Sequence, residues 1–123
     1  MTESLTHLLE KAFASRALLV DSKHESAFRL FNGFTEGCPD LIIDLYALTA
    51  VIHNYADDPE QGVPLVQEAY QFLTTSLNWL RAGIVKTRNG TTQEEKRGRL
   101  LFGTVIDRKI KEHDVWYAID LTL

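Results

Sequence analysis

Apolar positions along this chain switch between two periods. Leu5, Leu8, Leu9, Ala12 and Phe13, with Arg16 on the same line, recur at spacings of three and four. That spacing predicts a leading helix over 2–20 with one apolar stripe. Thr2 or Ser4 can cap its start, because a hydroxyl there accepts from the open first-turn amides. The polar run Asp21-Ser22-Lys23-His24-Glu25-Ser26 ends it. Such a stripe must pack on something, either the sheet of its own domain or, as a linker, the joint between two domains. We take 1–22 as a leading linker helix and 23–123 as a small α+β domain, the whole being one domain.

The period then shortens. Residues 27–34 read as a strand with Phe28, Leu30 and Asn32 on one face. Gly33 and Gly37 permit backbone angles closed to other residues, and Pro39 pushes Cys38 to an extended conformation, so 32–39 reads as a turn. Two strands follow over 41–46 and 49–55, joined at Ala47-Leu48. Their near-continuous apolar character places at least one of them in the middle of a sheet.

Helical spacing returns at Leu65, Val66, Ala69, Phe72, Leu73, Ser76, Leu77 and Leu80. It predicts a helix over 65–81, with Pro64 in its first turn and Gly83 just past its end. A short strand at 84–88, a polar loop at 89–98 opened by Asn89-Gly90, and a strand or bulge at 100–104 come next. A hairpin of 105–111 with 115–121, turning at Glu112-His113-Asp114, closes the pattern. The order is a leading helix, then strands, helix and strands: an α+β fold with a mixed or antiparallel sheet.

Composition changes this picture little. The chain has 123 residues, 45% hydrophobic and 24% charged, enough for one core without disulfides or metal. Cys38 is the one cysteine, so no intrachain disulfide forms, which fits a reducing cytosol. Acids come early in the N-terminal segment, and no uncharged apolar window reaches the length of a membrane span, so we expect a cytoplasmic protein with no membrane partner.

Charge distribution changes it more. The formal net charge is -4, yet 81–111 carries nine basic residues against three acidic ones. Residues 1–80 carry four basic against eleven acidic. The basic end makes Arg88, Asn89, Lys96, Arg97 and Arg99 candidates for RNA contact, neutralising phosphates without reading bases. The bland alternative is a solvated loop with Glu94 and Glu95 as intrachain partners.

No phosphate-binding loop, dinucleotide fingerprint or nucleophile elbow is present. His7, His24, His53 and His113 are scattered rather than paired at ligand spacing. Glu36 and Asp40 flank Cys38 and oppose a thiolate. Asp44, within an apolar run, must point outward or be hydrogen-bonded, with Arg29 as a partner. We therefore assign no catalytic, cofactor-binding or metal residue.

The run Phe28-Arg29-Leu30-Phe31-Asn32-Gly33-Phe34-Thr35-Glu36-Gly37-Cys38-Pro39-Asp40-Leu41-Ile42-Ile43-Asp44-Leu45-Tyr46 resembles a segment of the bacterial class I S-adenosylmethionine-dependent rRNA methyltransferases of the large-subunit cytosine-5 family. Glu112-His113-Asp114-Val115-Trp116-Tyr117-Ala118-Ile119-Asp120-Leu121 is similar to the hairpin that leads into their catalytic domain. Arg88 with Glu94-Glu95-Lys96-Arg97-Gly98 resembles one of their loops more loosely. Phe34, Asp40, Leu45 and Ala47 stand where that family has Glu, Gly, Arg and Gly. The resemblance implies an accessory middle domain that positions RNA and packs beside a catalytic domain. S-adenosylmethionine would bind in that catalytic domain and not here, so the resemblance implies that the chain is a piece of a longer methyltransferase. The alternative is a free-standing interaction module, pairing through the exposed hairpin edge with another chain or with a second copy as a homodimer.

Overall fold

The computed structural model describes residues 4–122. Helix α1 (Leu5–Arg16) is capped by the Ser4 hydroxyl, which accepts from the His7 amide at 3.2 Å, and runs into a 3₁₀ turn, Ala17–Leu19. Thr2, the other candidate cap, lies outside the described residues. The chain continues through β1 (Ala27–Asn32), a one-turn helix α2 (Gly33–Glu36), β2 (Leu41–Tyr46) and β3 (Thr49–Asn54). Then come α3 (Pro59–Ser76), β4 (Ala82–Thr87), the short helix α4 (Gln93–Arg97), β5 (Arg99–Phe102), β6 (Lys109–Glu112) and β7 (Val115–Ala118). This is an α+β fold.

Strands β1 to β5 form one mixed sheet in sequence order, with only β3 and β4 parallel. The parallel pair follows from α3, whose length lets the chain cross back to the start of the sheet. The β6–β7 hairpin is a separate two-stranded sheet. One face of the large sheet carries Leu30, Leu41, Ile43, Leu45, Ala50 and Ile52. Against it pack Leu5, Leu9 and Ala12 of α1 and Val66, Ala69, Phe72 and Leu73 of α3. Each fully buried leucine there contributes about 1.5–3 kcal/mol relative to exposure.

The other face is covered only in part. Val51 and Ile84 meet Leu121, with Tyr46, Ile106 and Ile119 around them. Asp107 straps this C-terminal segment down. Its carboxylate accepts from the Thr49 hydroxyl at 2.6 Å, the Leu48 amide at 2.9 Å and Arg81 Nη2 at 2.9 Å.

Five local expectations change. The 32–39 turn contains a helical turn, because Asn32 caps α2 by accepting from the Phe34 amide. A bulge between Arg29 and Phe31 then turns both Leu30 and Phe31 inward. Helix α3 starts five residues before Pro64, at Pro59, because Asp58 supplies a cap and Pro59 suits the first helical position. It ends at Ser76, where the buried Leu77 leaves helical geometry. Gly83 is no helix cap: it lies in β4, where Phe102 fills the space a Cβ would take.

Candidate nucleic-acid interface

Arg88 and Asn89 follow directly on β4. The Arg88 amide donates to the Asn54 carbonyl at 3.0 Å, prolonging the parallel ladder by one residue. Tyr55 follows β3 in the same way, its amide donating to the Asp40 carbonyl at 2.8 Å. The Arg88 guanidinium lies 5.6 Å from the centroid of the Tyr55 ring, within cation–π range. Tyr55 stacks on His53 with ring planes 10° apart, and Phe34 tilts against it at 5.9 Å. Phe34 is 59% exposed, so the group forms an open aromatic ledge at one rim of the sheet.

Behind the ledge sits Asp44, 7% exposed. Its carboxylate accepts from Arg29 Nε at 2.8 Å and Nη2 at 3.3 Å, and meets His53 Nε2 at 3.0 Å. Burial pushes its pKa up, but the hydrogen bonds from His53 and Arg29 outweigh that and hold it below the ordinary carboxylate value. An acid tied this way to two partners holds the face rigid. Cys38 is less reactive still, because burial and then Asp40 push its thiol pKa up.

The sequence-selected basic residues divide. Asn89 spends its side-chain amide on the Asp57 carbonyl at 3.1 Å, which positions the loop. Thr92 caps α4: the Glu95 amide donates to the Thr92 hydroxyl, and the Thr91 and Thr92 hydroxyls donate to the Glu95 carboxylate. Glu95 is thereby engaged by the cap, while Lys96 and Arg97 point their exposed side chains from the end of α4. Gly98, at φ +127°, turns the chain against Ile84 and Lys86, where a Cβ would come within 2.6 Å of Ile84 Cγ2. This puts α4 beside the half of the sheet face that holds Lys86 and Arg88. Arg99 does not join them. It pairs with Val85, which packs toward the helices, so alternation sends it to the other side.

Sequence reasoning missed Phe34, Tyr55 and His53 as members of one site. The signal for Phe34 is present, since an exposed aromatic replaces an acid in the resembled pattern. Tyr55 and His53 read as ordinary strand residues. Among the described residues, no cluster of three or more histidine, cysteine or carboxylate side chains is arranged to hold a metal ion. No helix among them is long and apolar enough to cross a membrane.

No family model matches the sequence, and no curated protein matches it. Solved structures do. One described as "a putative methyltransferase complexed with SAH" superposes with a TM-score of 0.72 and 19% identity, covering 92% of this chain and 28% of that one. Another, described as "a putative sam-dependent methyltransferase from Streptococcus mutans", gives a TM-score of 0.72 and 18% identity over 100% of this chain and 32% of that one. The likeness is one of fold. This chain spans about a third, or less, of each of those proteins.

Proposed function

We propose that this chain is a non-catalytic, RNA-positioning domain of an S-adenosylmethionine-dependent methyltransferase, working beside a catalytic domain that lies outside it. The observation that carries the reading is the overlay: nearly the whole chain matches, and it matches only about a third of each methyltransferase chain. The resemblance of 28–46 and 112–121 to the large-subunit rRNA cytosine-5 family supports the RNA class and S-adenosylmethionine as the parent's cofactor. Lys86, Arg88, Lys96 and Arg97 around the sheet rim supply phosphate-neutralising charge. The exposed Phe34 ring beside Tyr55 offers a face to bases.

The test is RNA binding by the isolated chain, followed by anisotropy of a labelled rRNA stem-loop across salt concentrations. Two to four neutralised phosphates give a slope of log affinity on log salt of about −1.4 to −2.8 for single-stranded contact. Charge reversal at Arg88 and Arg97 is expected to reduce affinity at least about tenfold and flatten the slope. Unchanged affinity in that variant sinks the reading.

A further inference from the structure

The β6–β7 hairpin has two unlike faces. Lys111 pairs with Trp116 and Lys109 with Ala118, and directly paired residues project to the same side. One face therefore carries Lys109, Lys111, Trp116 and Ala118, with no acid among them. The other carries Ile110, Tyr117, Glu112 and Val115. The Lys109 ammonium stands 4.5 Å from the Trp116 ring centroid and the Lys111 ammonium 5.5 Å. Trp116 is nonetheless 45% exposed. Among the described residues, neither lysine forms an ion pair.

Four acids lie nearby, and two of them are engaged. Asp107, beside Lys109, is held by Arg81, Thr49 and the Leu48 amide. Asp21, across a shallow cleft from Lys111, accepts from the Glu25 and Ser26 amides and the Ser26 hydroxyl. Glu25 and Asp114 line that same cleft, whose basic members are Lys23 and Lys111. Glu25 also lines the cleft that Lys109 and Trp116 share, yet among the described residues no ion pair joins any of these carboxylates to either ammonium group.

We propose that this face binds single-stranded RNA, one base stacking on the Trp116 indole while its flanking phosphates sit on Lys109 and Lys111. The inference deepens the RNA-positioning reading and rests on it. Alternate residues of a strand lie about 6.8 Å apart, a step comparable to that between successive phosphates of an extended single strand. An aromatic ring with two cations close to it suits a base flanked by phosphates better than it suits a run of carboxylates. A duplex keeps its base faces covered, so the indole selects an unpaired strand. Nothing on this face reads base edges, so the binding is indifferent to sequence.

The chain has two tryptophans, so Trp79→Phe leaves Trp116 as the sole indole emitter. Titration with hexauridylate is expected to quench it, with a log–log salt slope of about −1.4 for two phosphates. Anisotropy of labelled hexauridylate against the chain with both tryptophans gives the same affinity without relying on that substitution. Lys109→Glu with Lys111→Glu is expected to weaken binding at least about tenfold, with the melting temperature of the large sheet unchanged. Full retention of affinity in this variant, alongside loss on charge reversal at Arg88 and Arg97, overturns the hairpin site and leaves RNA positioning standing. Absence of RNA binding in every form overturns both. Equal quenching by a hexamer duplex or by hexaglutamate overturns the single-strand assignment.

Discussion

The Arg16 guanidinium grips the Glu36 carboxylate with both terminal nitrogens, Nη2 to Oε1 at 2.6 Å and Nη1 to Oε2 at 2.9 Å. The pair ties the end of α1 to α2, and Glu36 also accepts from the Asn32 amide at 2.9 Å. Burial raises the Glu36 pKa, and the Arg16 hydrogen bonds, the Asn32 amide and the Arg16 charge together more than reverse that. Both side chains keep about a quarter of their surface exposed, so the Coulomb part is partly screened. Arg16→Met is expected to cost about 1–2 kcal/mol in urea unfolding. A double-mutant cycle with Glu36→Gln should recover a coupling of similar size; additivity would show that the pair is ornamental.

Gly33 is required for space rather than for an unusual backbone angle. A Cβ there would sit 1.7 Å from the Cys38 carbonyl oxygen and 2.2 Å from that of Leu41. Both are backbone atoms and neither can swing away. Gly33→Ala is expected to lose about 3 kcal/mol or more, read as a shifted denaturation midpoint or as insoluble expression. A melting curve like that of the unaltered protein would refute the close packing of α2 on the start of β2.

Ala47 offers the opposite change. It adopts φ 55° at the first position of the two-residue turn between β2 and β3, a left-handed conformation that strains an L side chain. Glycine stands there in the resembled family. Ala47→Gly is expected to stabilise by about 0.5–1 kcal/mol, since relief of strain exceeds the added flexibility of the unfolded chain. Differential scanning calorimetry decides it, and a lowered melting temperature would count against the strain.

Much of the fold is legible in the sequence because its signals are local. The stripe of α1, the apolar runs of β2 and β3 and the turns at Ala47-Leu48 and His113-Asp114 each fit within one window. The boundaries of α3 are less so, since Pro59 and Pro64 compete and only Asp58 decides between them. The ledge is harder still. Phe34 reaches Tyr55 because α2 folds over the sheet rim, and Arg88 reaches it because α3 crosses back, which no local pattern announces. The basic count in 89–99 also hides the split that strand alternation imposes on Arg99.

Asp44 makes stability depend on acid. Its folded pKa lies below the unfolded value of about 3.9. The unfolded chain thus binds the proton first as pH falls, and the contribution is complete above the unfolded value and lost as pH drops through the folded one. Asp44→Asn is expected to lower stability at pH 7 by about 1–3 kcal/mol, discounted because Arg29 is 48% exposed. The variant should also show a flatter decline between about pH 5 and pH 2. Equal steepness in both proteins would place the acid sensitivity elsewhere.

Parallel pairing of β3 and β4 carries one more consequence. Asn54 and Thr87 are register partners, so Tyr55 and Arg88 leave the sheet together at the same rim. Had the strands run antiparallel, Arg88 would have emerged beside Ala47, at the far end. The two connecting loops can therefore lengthen, shorten or exchange residues over evolutionary time while the sheet keeps their starting points side by side. Selection can change the chemistry of this rim one loop at a time, without disturbing the core beneath it.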